Sequence, residues 1–198
     1  MNFDKIYNGI LENYDLDETF LDDILTTLEF RLKKNNYLYN NILKYSKDGD
    51  FEDLDCIYFE AENIIINIRS TLDNLLQLIN LVYRLNLNGL DLNIKNVVKR
   101  KECSNAVKDI FLLHTHPKNQ VWNFIYTTRN EIIHEVCIKT KLPILHDEEY
   151  INGEIKNKII FINKLGNKED LLYFYKQCIK LINELCDECL YAIHKGLN

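Results

Sequence analysis

From Phe20 onward, apolar residues recur three and four positions apart: Phe20, Leu21, Ile24, Leu25, Leu28 and Leu32. That spacing is one face of an α-helix, which turns every ~3.6 residues. Asp17 stands where an N-cap belongs, and Glu18 and Asp22 place negative charge in the first turn, where it is favourable. The helix is expected to run to about Tyr45 and to stop at the turn signal Ser46-Lys47-Asp48-Gly49-Asp50. A short opening helix is expected over Phe3 to Tyr14. The longest stripe follows, between Phe51 and Leu87, and includes Ile57, Ala61, Ile64, Ile65, Ile68, Leu72, Leu75, Leu76, Ile79, Val82 and Tyr83. Ile64-Ile65-Ile66 alone would suit a strand, but the flanking periodicity predicts an unbroken helix. Glu60, Arg69 and Asp73 interrupt the stripe with charge.

Asn88-Gly89 is the expected stop of that long helix. Ile94 to Lys101 and Ser104 to Leu113 read as two shorter helices, and His114-Thr115-His116-Pro117 as the loop that ends the second. Asn119 is placed to cap a helix from Trp122 to about Cys137, with Trp122, Ile125, Ile132, Ile133 and Val136 on its buried side. Beyond Pro143 the period changes from helical to alternating. Asn152-Gly153 lies between β-friendly residues, and Lys158-Ile159-Ile160-Phe161-Ile162 is a good strand. The expectation is a two-stranded hairpin at roughly 148–164, marginal alone and needing to pack on the helices or on a partner. Lys168 to Lys195 reads as a closing helix. The chain is thus expected to be one all-α domain over 1–198: N-terminal helices in 1–50, a core in 51–137, the hairpin at 148–164 and the closing helix at 168–195.

Composition narrows this picture. Only 6 Gly and 2 Pro in 198 residues favour long regular elements over loops. Lys+Arg 24 against Asp+Glu 30 gives net −6, which argues against a broad nucleic-acid-binding surface but leaves room for a local cationic site. The N-terminal residues show no signal-peptide pattern and no stretch reaches ~18 apolar residues, so a cytoplasmic protein without a membrane span is expected. The 6 cysteines are then expected to be reduced. Cys186 and Cys189 form a CxxC without a second pair, so structural cysteines are expected rather than a metal site, and no cofactor is implied. His114 and His116 could bind metal but lack a nearby carboxylate pair.

One stretch stands apart. In Trp122 to Val136 an arginine, an amide and an imidazole fall within six residues: Arg129, Asn130 and His134. Asn130 and His134 are i and i+4, so their side chains can meet on one helix face, and the amide can hold an imidazole nitrogen. Arg129 and His134 are i and i+5, about 140° apart on a regular helix. Either the helix distorts near His134, or the long Arg reaches around, or a second copy of the helix completes the site.

Arg129-Asn130-Glu131-Ile132-Ile133-His134 resembles the R-x(4–6)-H motif of the HEPN superfamily, in which a polar residue such as Asn commonly follows the Arg. Arg69-Ser70-Thr71-Leu72-Asp73 is similar to the second helix of some bacterial HEPN families. The resemblance covers roughly Phe51 to Cys137 and, more loosely, the last helix. It implies an all-α, HEPN-like up-and-down bundle, usually dimeric, with its site at the interface of two protomers. It also implies a metal-independent ribonuclease of a toxin–antitoxin or phage-defence system, with RNA as substrate and an antitoxin protein as partner. Arg129, Asn130 and His134 would be catalytic, with Asp73 or Arg69 in support as orienter or phosphate contact. The plain reading of Arg69 and Asp73 is an i,i+4 surface ion pair, which contributes little if exposed.

The chemistry suits these residue types. RNA carries its own nucleophile, the 2′-OH, so cleavage needs a base, an acid and positive charge rather than a metal. An imidazole, ordinarily titrating near about 6.5, can move protons at neutral pH. A guanidinium, fork-shaped, suits phosphate oxygens. One His cannot easily serve both sides of the phosphorus, whereas two copies of His134 in a dimer could. The products would be a 2′,3′-cyclic phosphate and a 5′-hydroxyl end. The competing reading is a non-catalytic dimeric helical module that binds a nucleotide or a partner protein.

Overall fold

The computed structural model describes the backbone of residues 2–48, 51–134, 143–151, 154–162 and 166–196. Within these ranges it describes all side chains except those of residues 47–48, 51–53, 131–134, 146, 148–151 and 154–157. The chain is mostly helical with a small antiparallel sheet. In order come α1 (Phe3–Asn13), α2 (Glu18–Asp48), α3 (Phe51–Val82), a 3₁₀ turn at Gly89–Asp91, α4 (Ile94–Val97), α5 (Asn105–His114) and α6 (Gln120–His134). Strands β1 (Ile144–Ile151), β2 (Glu154–Ile162) and β3 (Lys168–Asp170) follow, and α7 (Leu171–His194) closes the chain.

Side-chain caps start these helices. Asp17 Oδ1 accepts from Phe20 N at 2.9 Å, Ser104 Oγ from Val107 N at 3.2 Å and Asn119 Oδ1 from Trp122 N at 3.1 Å, each satisfying a first-turn donor the helix itself cannot. The ends depart further from expectation. α2 runs three residues into the turn signal, to Asp48, with the Ser46 hydroxyl donating back to Leu43 O at 2.9 Å. Gly49 and Asp50 lie outside the described residues. α3 stops at Val82, well before Asn88-Gly89. Leu85 N donates to Asn80 O and Arg84 N to Leu81 O, the bond pair of a Schellman cap. Arg84, at φ +49°, occupies the left-handed position that glycine usually takes. Asn80 then clamps the returning chain, donating to Leu87 O and accepting from Leu87 N, both at 3.0 Å. α4 is also shorter than expected and ends at Val97.

The sheet is larger than a hairpin. β1 and β2 pair from Ile144↔Phe161 to Ile151↔Glu154, so pairing begins at Ile144 rather than near 148. The register leaves two residues for the connection, Asn152 and Gly153, which lie outside the described residues. β3 then pairs with β2 at Ile160↔Asp170, so Lys168 to Asp170 is strand and not the start of the closing helix. Asp170 makes the switch: its Oδ1 accepts from Tyr173 N at 2.8 Å and caps α7. The third strand supplies support that two strands lack.

The chain forms two compact units. The first contains residues 1–33, 70–123 and 181–198. Its core includes Ile10, Leu21, Leu75, Phe111 and Leu185, all fully buried. Phe20, placed by its spacing in a buried stripe, is 54% exposed. His114 ends α5 as a buried helical residue rather than a loop residue, and its Nε2 lies 3.0 Å from Glu188 Oε2. Gly9 on α1 is buried, and a Cβ there would fall on the His194 ring. Gly9→Ala should therefore destabilise the protein by about 1–3 kcal/mol, the usual cost of overpacking, in urea unfolding. His194→Ala in the same chain should restore most of that loss. A Gly9→Ala protein of wild-type stability would contradict the contact.

The second unit contains residues 34–69 and 124–180. Phe124 of α6, Phe161 of β2 and Phe174 of α7 form mutual ring contacts with centroids 4.7–5.7 Å apart, and Phe124 also meets Tyr175 at 6.2 Å. The Tyr58 hydroxyl of α3 takes both backbone groups of Ile144, accepting from its N–H at 2.6 Å and donating to its carbonyl at 3.3 Å. Asn67 donates to Asn35 Oδ1 at 2.8 Å across α3 and α2, both side chains buried. The Tyr58 and Asn67 side chains thus find partners for their buried groups, whereas Asn35 Nδ2 and the Tyr175 hydroxyl are buried with none among the described residues.

Candidate active site

The second unit carries the motif on the last turns of α6. Trp122, Ile125 and Thr128 form the buried side of the helix, and Asn123, Tyr126 and Thr127 its exposed side. Arg129 starts from the buried side and Asn130 from the exposed side, and both are half-buried. The backbone stays α-helical from Gln120 to His134. Helix distortion is therefore not how Arg129 could approach His134. The His134 side chain, and those of Glu131, Ile132 and Ile133, lie outside the described residues, as does Val136. The Asn130–His134 side-chain contact expected from the spacing lies there too.

Arg129 bonds its neighbour. Its Nη1 donates to Asn130 Oδ1 at 3.2 Å. Residue 130 sits about 100° further round the helix than residue 129, and residue 134 about 40° beyond that. The guanidinium is thus drawn along the arc that leads to the His134 backbone position. Its Nε is buried with no hydrogen-bond partner. Asn130 Oδ1 receives the cation, so its Nδ2 points its donors elsewhere. Tyr126, 51% exposed, lies one turn before Asn130 on the same ridge, since i and i+4 are neighbours on a helix. The spacing Tyr126–Asn130–His134 is visible in the sequence, but an isolated tyrosine carries no signal there.

The two support candidates fall in different units. Arg69 belongs with the motif in the second unit, and Asp73 lies in the first. Both are half-buried on α3, and both are engaged by neighbours. Cys186 and Cys189 are fully buried on α7, and burial pushes both thiols well above their ordinary range, which holds them as thiols packed in the core. Cys103, also buried, is pushed up to about 11 for the same reason. Among the described residues no cluster of His, Cys, Asp and Glu could hold a metal ion, and no helix is long and apolar enough to cross a membrane. Comparison with protein-family models, with curated proteins and with solved structures gives no match to this chain.

Proposed function

We propose that the chain is a metal-independent endoribonuclease of the HEPN type, a toxin–antitoxin or phage-defence component that works as a homodimer. The observation that carries this reading is the Arg129–Asn130 bond, which turns a half-buried guanidinium toward the helix edge that bears His134. A cation held at that edge by an amide, with Nη donors left beyond the one bonded to Asn130, is suited to the equatorial oxygens of a phosphodiester.

The reaction follows from those groups. His134 of one protomer takes the proton from the 2′-OH, whose oxygen attacks phosphorus. The P–O5′ bond breaks, and His134 of the second protomer gives its proton to the departing 5′ oxygen. Attacking and leaving oxygens lie on opposite sides of phosphorus, which is why two imidazoles serve better than one. With Asn130 Oδ1 occupied by Arg129, the Asn130 Nδ2 donor is suited to the unprotonated nitrogen of its own His134, which would fix the tautomer.

The purified protein should cut single-stranded RNA in excess EDTA and leave 2′,3′-cyclic phosphate ends. His134→Ala should lower the rate at least about 10³-fold, since general acid–base catalysis contributes about 10²–10⁴ per role and both roles would be lost. Wild-type RNA that stays intact, or cleavage that survives His134→Ala, would reject the assignment.

A further inference from the structure

We infer that the first unit carries a second RNA-contacting surface, a cationic, asparagine-lined trough that holds a single strand through its phosphates and one unstacked base. This inference rests on the ribonuclease reading for the choice of RNA as occupant.

The charge argument comes first. The chain is acidic overall, at net −6, yet Arg84, Lys95, Lys99, Arg100 and Lys101 stand against only Asp91 and Glu102 in residues 84–102. All five cations are exposed. Positive charge gathered on one segment of an acidic protein makes a local field that attracts anions. Cations so spaced along a short segment match the repeated phosphates of a nucleic-acid backbone.

Shape and lining add specificity. Lys99 and Arg100 border a groove of about 430 Å³ together with Asn86, Asn88, Asn96 and one carboxylate, Asp91. A second groove, of about 420 Å³, is bordered by Phe20, Gln77, Asn80 and Arg84, and it shares Asn86 and Asn88 with the first. The two grooves are neighbours, with Asn86 and Asn88 bordering both. Phe20 stands in the second, half-exposed, the aromatic that the helical pattern would have buried. An exposed ring beside cations is a platform for an unstacked base, and side-chain amides offer donors and acceptors to base edges.

The trough is built in advance. Asn80 holds Leu87 through two bonds, Asn93 Nδ2 donates to Leu90 O at 2.9 Å and Asn96 Nδ2 to Asp91 O at 3.0 Å. Arg84 and Asn86 both sit at positive φ, so the turn is fixed by backbone and side chain together. Arg84 is also anchored from outside the segment, its Nη2 donating to the Asp15 carbonyl at 2.6 Å and lying 3.4 Å from the Asp15 carboxylate, which offsets its charge and leaves the lysines and Arg100 as the phosphate contacts. The Asn88 side chain makes no cap bond and remains available. A preformed groove does not lose ordering entropy when the strand arrives.

The test uses the full chain and a fluorescein-labelled oligouridylate with 2′-fluoro sugars, which has no 2′-OH and so binds without being cut. Anisotropy should report binding by the wild type. Lys99→Glu with Arg100→Glu should weaken it at least about tenfold and flatten its dependence on salt by about 1.4 in log–log slope, two single-strand phosphate contacts' worth. Phe20→Ala should weaken binding with the slope unchanged. A charge-matched control, Lys5→Glu with Lys195→Glu, both exposed residues of the same unit, should bind as the wild type does. Unchanged affinity on reversing Lys99 and Arg100, an equal loss in the control, or binding to phosphatidylserine vesicles in place of RNA overturns the inference. Cleavage of all-ribose RNA is followed in parallel. A wild type that binds through the trough but does not cut fails the nuclease reading alone, and one that cuts with binding indifferent to the reversal fails the trough alone.

Discussion

Arg129→Lys should lower RNA cleavage by about 10²–10³-fold, the range found when one preorganised donor to a developing charge is removed. The charge survives this change, so the loss isolates geometry. Arginine spends one nitrogen, Nη1, on Asn130 and still has donors for phosphate oxygens. A lysine ammonium is a single point. Held by Asn130 it cannot also lie between two phosphate oxygens, and released from Asn130 it returns to its own face of the helix, about 140° from the His134 position. The half-buried aliphatic stem is largely kept, so urea unfolding should shift by less than about 1 kcal/mol. The fall should appear in kcat rather than KM, because the lost contacts form mainly with the transition state. An Arg129→Lys protein within threefold of the wild type would mean that the guanidinium is a surface charge without a role in cleavage.

Much of the helical frame was legible because it follows from one periodicity. Ile57, Ala61, Ile64, Ile65, Ile68, Leu72, Leu75, Leu76, Ile79 and Val82 are all buried, as their spacing predicts. Caps at Asp17 and Asn119 were equally readable, since the short polar side chain that satisfies a first-turn donor stands at a fixed offset. The ends of helices were not. α3 stops five residues early because Arg84 fills a left-handed position by sequence context rather than by type, and nothing in the residue names it as a stop. β3 was hidden for another reason: Lys168-Glu169-Asp170 has no strand propensity and is strand only because β2 offers it an edge.

The site was legible as a list and not as an arrangement. Spacing placed Asn130 beside His134 and set Arg129 apart, and left three ways to reunite them. The regular helix to His134 removes one, and the reach of the arginine and the second copy of the helix both stand. The trough was missed because net charge averages over the whole sequence. Lys99-Arg100-Lys101 is plain as a run, but its meaning depends on the Asn80 clamp that brings Asn86 and Asn88 against it, a contact between residues that no local pattern links.

Phe161→Ala should cost the second unit about 3–5 kcal/mol, the range for emptying a buried aromatic site. Phe161 is 1% exposed and touches Phe124 of α6 at 5.7 Å and Phe174 of α7 at 5.2 Å, ring to ring. Such tilted and edge-on pairs add about 0.5–1.5 kcal/mol beyond buried area, and two are lost at once. The location makes the loss larger than a peripheral cavity would. Phe161 pairs with Ile144 in the sheet, and Ile144 is the residue whose backbone Tyr58 holds, so ring and clamp fasten the same corner of the hairpin. Phe124 lies five residues before Arg129 on α6, so the packing that seats the sheet also seats the motif helix. Amide exchange in β1 and β2 should accelerate by about 10²–10⁴-fold, since each ~1.4 kcal/mol is one decade. Phe161→Leu, closer in volume, should cost less than about 1.5 kcal/mol and keep cleavage near wild type. Exchange rates that stay within a few-fold in Phe161→Ala would mean that the sheet is held by its strand pairing alone, and that the aromatic cluster does not position α6.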